Sequence, residues 1–226
     1  MIFSRKHHPS LPDSPLYVGE NHALNKTDHF KYLGVNFSTD LTWSHHINAV
    51  CKKTRKQIGL LYRNFYQFSD PSTLLKLYKS LIRPHMEYAS VVWDPHLAKD
   101  IKLIEDVQKF ALRVCSKTWN ADYESLLKSC NLPSLSDRRK FQKLCQLYNL
   151  LTDRVTYPDK PLERIATLYP NRHANTIQLS VPFARTNNFK NSFFPSTSAQ
   201  WNSLNCDIGP INSLASFKHA LNKHLF

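Results

Sequence analysis

Apolar positions along this chain change period near Trp43. Before it, the short runs MIFS, PLYV and HFKYLGVNF are β-rich, broken by the turn-forming stretches SLPDSP and GENHALNKTD. They predict two to four strands of a small antiparallel sheet. After it, Ile47, Val50, Cys51, Thr54, Ile58, Leu61 and Phe65 recur at helical spacing and predict a helix from a Ser44 cap to about Phe68. Asp70 and Pro71 open a second helix with Leu74, Leu75, Tyr78, Leu81 and Ile82 inward, which Pro84 is expected to kink or restart. A third helix is predicted over 97–117, burying Ile101, Ile104, Val107, Ala111, Leu112 and Cys115, with a short one at Tyr123–Cys130. NLPSLSDRR reads as a turn capped by Ser136, ahead of a helix with Phe141, Leu144, Tyr148 and Leu151 inward. TDRVTYPDKP reads as a linker, and the Asn-rich segment 174–204 as a hairpin followed by a short helix. SLASFKHALNKHLF closes the chain as an amphipathic helix. The predicted fold class is α+β, mainly α, with a small N-terminal antiparallel sheet, a helical bundle and a mixed C-terminal part.

The polar face of the first long helix stands apart. Lys52, Lys56 and Arg63 fall within about 20° of the pole opposite the apolar stripe, and Lys53 and Arg55 flank it. No acid occurs between Ser44 and Phe68, so the usual i,i+4 pairing is missing. Gly59, on the same side, weakens the helix by about 1 kcal/mol relative to Ala and permits close approach of a partner. These six residues are the candidate phosphate contacts. Arg138, Arg139 and Lys140 are secondary candidates that also read as a solvated helix start, followed by Arg185 and Lys190. Phe183, Phe189, Phe193, Phe194 and Trp201 have the flat faces that stack on bases, although such spacing also suits a small core.

Composition sharpens this picture. Thirty Lys and Arg against seventeen Asp and Glu give the 226 residues a formal charge of +13, which suits polyanions, nucleic acid above all. Four dispersed glycines exclude a P-loop or a dinucleotide fingerprint, and no GxSxG elbow can be written. The adjacent acids Glu105 and Asp106 lie in a helical pattern, where neighbours diverge by about 100° and make a poor two-metal clamp. Five scattered cysteines without a CxxC read as free thiols. No apolar run reaches the roughly 20 residues of a membrane span, and the first residues do not resemble a signal peptide, so an intracellular chain, nuclear or cytoplasmic, with no membrane partner is expected.

The stretch LIRPHMEYASVVWDPH crowds His85, Glu87, Asp94 and His96 together. His85-Met86-Glu87 matches half of a zinc-deaminase motif, but the PCxxC half is missing. Met86, Ala89, Val92 and Trp93 read as one packed helical stripe, which makes the stretch structural, with no metal held there.

The order of residues carries a further signal. LYKSLIRPHMEYASVVWDPH, preceded by FKYLGVNFSTDLTWSHHI and followed by LIEDVQKFALRVC, SLLKSCNLPSLSDRRK and VPFARTNNFKNSFFPSTSAQWNSL, resembles the C-terminal part of reverse transcriptases from LINE-like, non-LTR retrotransposons. The resemblance implies a palm remnant over 1–42, a helical thumb over 43–118, a helical continuation over 119–157 and a C-terminal extension over 158–226. Within the remnant, Tyr32, Leu33 and Gly34 resemble the primer-grip segment. The thumb of such enzymes holds the template–product duplex, so the implied partners are RNA, DNA or an RNA–DNA hybrid, together with the missing palm and fingers. The chain departs from the family at Leu204-Asn205-Cys206, where a proline commonly follows the leucine. It also contains no Asp-Asp pair, the family's catalytic signature. It is therefore expected to be non-catalytic and to hold no cofactor, although the parent family uses Mg. The competing expectation is a helical protein-interaction module, or a transposon relic, without nucleic-acid binding.

Overall fold

The computed structural model describes residues 17–18, 22–23, 27–152, 154–155, 178–204 and 213–226. The MIFS run, most of the expected linker and Cys206 lie outside them. The fold is mainly α. Strands β1 (Tyr17–Val18) and β2 (His22–Ala23) form one antiparallel pair, and β3 (His29–Tyr32) and β4 (Val35–Ser38) form another, with His29 opposite Ser38. The helices are α1 (Ser44–Phe65), α2 (Pro71–Leu77), α3 (Arg83–Glu87), α4 (Ser90–Trp93), α5 (Ala98–Ser116), α6 (Tyr123–Ser129), α7 (Leu135–Leu151), α8 (Asn187–Lys190), α9 (Phe193–Asn202) and α10 (Leu214–Leu225).

Helices α1 and α5 run side by side in the same direction. Near their starts Ser44 Oγ donates to Asp100 at 2.7 Å, and beyond their ends Trp119 Nε1 donates to Tyr66 Oη at 3.3 Å. Ser44 thus serves tertiary packing and is not the predicted cap, a position held by Trp43 without a side-chain bond. Asp70 caps α2 as predicted, accepting from the backbone N–H groups of Ser72 and Thr73. The Ser72 and Thr73 hydroxyls, with a smaller part from those N–H groups, hold its carboxyl well below the usual range.

Between α2 and α3 the backbone widens into a π turn over Tyr78–Ile82. Pro84 explains it: the ring has no N–H to offer and crowds the carbonyl four residues back, and the wider turn relieves both. The extra residue rotates the helix, so Leu81, expected inward, points out and is 60% exposed. The expected continuous stripe through 86–93 is likewise interrupted. Ala89 takes a left-handed φ of 52°, separating α3 from α4, and Val92 faces solvent while Met86 and Trp93 are buried.

Two cores result. The first gathers Val35 of β4 with Ile47, Ile58, Leu74, Tyr78, Trp93, Ile104, Leu112, Leu126 and Leu135. The second gathers Leu144, Leu147, Tyr148 and Leu151 of α7 with Leu179, Trp201, Leu204, Phe217 and Leu221. Phe217 stacks between Tyr148 and Trp201, with centroid distances of 4.4 and 5.7 Å. No hairpin follows Gln178 among the described residues; Leu179 is instead held by two bonds to the Asn202 side chain, at 2.9 and 2.8 Å. Helix α9 forms despite poor helix formers because Trp201 is buried and Pro195 lies in the first turn, where its missing N–H is tolerated. Helix α7 belongs to both cores, and its cap is Ser134, not Ser136.

Candidate nucleic-acid interface

Helix α1 buries His46, Ile47, Cys51, Thr54, Ile58 and Leu61, close to the predicted face, whereas Phe65 in its last turn, expected inward, is 44% exposed. That fixes the opposite side. Lys52, Lys53, Arg55, Lys56 and Arg63 are exposed, and Gly59 is half-buried. Among the described residues every ion pair involves Arg83, Arg138, Arg139 or Lys143, so none of the five α1 cations is neutralised by an acid within 4 Å. A Cβ added at Gly59 would meet nothing closer than Arg63 Nη1 at 3.5 Å, so the backbone there is open.

Four of the five cations line two depressions. Lys52, Arg55 and Lys56 line a shallow groove of about 520 Å³ with Asn48, Cys51 and Leu103, where α1 meets α5. Lys53 turns the other way, with Nζ 3.5 Å from His85 Nδ1, into a cleft of about 250 Å³ that also includes Lys31, Gly34, Asn36, His46 and Tyr88. Burial, reinforced by Lys53, lowers the His85 pKa.

The β3–β4 hairpin forms the far wall of that cleft. Leu33 and Gly34 both have positive φ, 46° and 83°, as a two-residue type I′ turn requires. Such a conformation disfavours leucine, yet Leu33 occupies it with 73% of its surface exposed, and Phe30 and Tyr32 are also exposed. Tyr88 Oη donates to the Leu33 carbonyl at 2.9 Å and pins the tip to the α3–α4 junction. At the base, the Asn36 N–H donates to His46 Nδ1 at 3.2 Å. Burial first, then His45 and Lys31, pushes the His46 pKa down to about 4. The ring is therefore neutral near pH 7, with its hydrogen on Nε2.

The acids of 81–96 are bound to cations. Glu87 receives Arg138 and lies 3.5 Å from Arg83. Asp94 accepts from Arg139 Nε and Lys143 Nζ, both at 2.9 Å. The Arg139 side chain is only 2% exposed and also lies 3.7 Å from Glu105. Glu105, which the sequence shows only as half of an acidic pair, accepts the N–H groups of Leu135 and Ser136 and the Tyr123 hydroxyl. It thereby joins α5, α6 and the positive end of α7. Arg138 and Arg139 are consequently not a solvated helix start and do not face a phosphate strand. Trp201 is likewise core and unavailable to a base, whereas Phe183 and Phe189 are exposed, as are Arg185 and Lys190.

Among the described residues no three His, Cys, Asp or Glu side chains gather as a metal site. No described helix is long and apolar enough to cross a membrane. Cys51, Cys115, Cys130 and Cys145 are free and buried, and burial pushes the Cys115 thiol up to about 12.

No protein-family model matches the sequence, and no solved structure matches the chain. An uncharacterized protein of Caenorhabditis elegans is 29% identical over 123 residues, which are 53% of this chain and 61% of the worm protein. The probable RNA-directed DNA polymerase from transposon X-element of Drosophila melanogaster is 25% identical over 129 residues, 54% of this chain and 14% of the fly protein. The chain spans less than two thirds of either relative. It is distantly similar to a transposon RNA-directed DNA polymerase.

Proposed function

We propose that this chain is the grip of a LINE-like retrotransposon reverse transcriptase, holding RNA, DNA or hybrid duplex by its backbone while the chemistry resides elsewhere in such an enzyme. Residues 1–42 then correspond to the end of the palm, 43–118 to the thumb, 119–157 to its helical continuation and 158–226 to the C-terminal extension. The observation that carries this reading is the exposed, acid-free row of Lys52, Lys53, Arg55, Lys56 and Arg63 on α1. It extends roughly 16 Å at 1.5 Å per residue, enough to meet several phosphates. The similarity to the fly transposon polymerase supports the same reading.

The primer-grip assignment of Tyr32, Leu33 and Gly34 is supported by the strained, exposed tip of the hairpin, where an apolar side chain stands ready for a partner. That partner is the remaining palm or the primer end. The chain is non-catalytic in this reading: it contains no Asp-Asp pair, and Glu87, Asp94 and Glu105 are held by cations or helix N–H groups. Magnesium ions would be held by carboxylates of the rest of the polymerase.

The test is a titration of a blunt duplex at several salt concentrations. Three to five neutralised phosphates give log K against log salt a slope of about −3 to −4. Binding indifferent to salt would leave the alternative, a protein-interaction module or relic.

A further inference from the structure

One surface of the first core is aromatic and belongs to neither the basic row nor the hairpin. It lies where α1 and α5 end together. Tyr62 and Tyr66 rings are 4.5 Å apart, Trp119 is 6.3 Å from Tyr62, and Phe110 is 6.4 Å from Trp119. Tyr62, Phe110 and Trp119 are 43%, 39% and 44% exposed, which is unusual for contiguous rings of this size. The surface is held in shape: Trp119 Nε1 donates to Tyr66 Oη, and Arg113 Nη2 donates to the Ala121 carbonyl behind the loop. It is also cationic. Lys117 Nζ sits 5.2 Å over the Tyr66 ring, and Arg63, the last cation of the α1 row, directly follows Tyr62. Of the neighbouring acids, Asp122 caps α6, and Asp106 lies one helical turn before Phe110.

We infer that this cluster is a stacking platform for unpaired bases, taking the single-stranded nucleic acid that continues from a duplex held on α1. The inference rests on the proposed grip for its position and on the rings for its chemistry. Two helix C-termini converge here, and the Lys117 ammonium, placed over the Tyr66 ring, offsets their partial negative charge, so a stacked nucleotide lays its base on the rings and meets Lys117 with its phosphate. A protein partner with an apolar face would gain nothing from the Lys117 ammonium over the Tyr66 ring, whereas a nucleotide gains from both ring and charge.

The test uses the full chain with a blunt duplex, the same duplex carrying a six-nucleotide single-stranded overhang, and a free single-stranded oligonucleotide. Trp119 is the exposed tryptophan, so a base stacked on it quenches emission. The overhang should raise affinity about tenfold and quench fluorescence. The double variant Tyr62→Ala, Trp119→Ala should lose that gain while binding blunt duplex unchanged, and Tyr62→Phe should retain it. An overhang that adds no affinity, or a gain surviving in the folded double variant, overturns the platform. Failure of blunt duplex to bind, with free single strand still bound and sensitive to the double variant, removes the grip and keeps the platform. Loss of self-association in the double variant without any oligonucleotide effect overturns it in favour of a protein contact.

Discussion

Helices α1 and α7 are both basic, and they use their charge in opposite ways. On α1, Lys52, Lys53, Arg55, Lys56 and Arg63 face solvent with no acid within ion-pair distance. On α7, Arg138, Arg139 and Lys143 lie against Glu87, Asp94 and Glu105 from segments earlier in the chain. Opposite charges across a buried seam fix which surfaces meet, because any other docking leaves a charge unpaired in low dielectric. An unpaired exposed row has no such duty and remains open to a polyanion. A run of lysine and arginine therefore says little by itself. What decides its role is whether acids distant in sequence are brought to it.

The sharpest way to break this contrast is at the seam. Asp94→Ala leaves the buried Lys143 without a carboxylate and the buried Arg139 with only its 3.7 Å contact to Glu105. Urea unfolding should show a loss of about 3–5 kcal/mol. A loss under 1 kcal/mol would mean that the seam contributes no more than surface pairs do.

Next in size is the buried imidazole on the inner face of α1. His46 has a folded pKa near 4 against about 6.5 unfolded. The unfolded state thus binds the proton more readily, and the stabilisation, complete above pH 6.5, is lost as pH falls towards 4. Urea midpoints should report a loss on the order of 2–3 kcal/mol across that window, much reduced in His46→Gln.

A smaller effect of opposite sign is expected at the hairpin. Leu33→Asn fits the left-handed turn better and should raise stability by about 1 kcal/mol while weakening whatever the leucine touches. Smallest for the fold is the α1 row itself. Lys56→Glu with Arg63→Glu should change stability by less than about 0.5 kcal/mol yet lower the salt slope of duplex binding by about 2. If stability fell instead, the row would resemble α7.

How much of this could be read from the sequence follows from the range of each interaction. The inward face of α1, the Asp70 cap and the α5 stripe depend on neighbours within a few turns, and they were legible. The π turn was half legible: Pro84 announces trouble, but the rotation that exposes Leu81 depends on how the backbone answers it. The roles of Glu87, Asp94 and Glu105 were not legible, since the α7 partner that each one holds lies thirty or more residues away. The aromatic platform escaped for the same reason. Tyr62 and Phe110 are unremarkable on their own helices, and both reach Trp119 because α1 and α5 run in the same direction.

Because α7 begins in one core and finishes in the other, the basic-faced lobe has no clean edge at which to be cut out. A fragment stopping near residue 118 would keep Glu87, Asp94 and Glu105 but discard the arginines and lysine that answer them. Cutting after Leu151 would in turn strip the cover from Leu144, Leu147, Tyr148 and Leu151, so a stable piece carrying the basic row has to retain α9 and α10 as well.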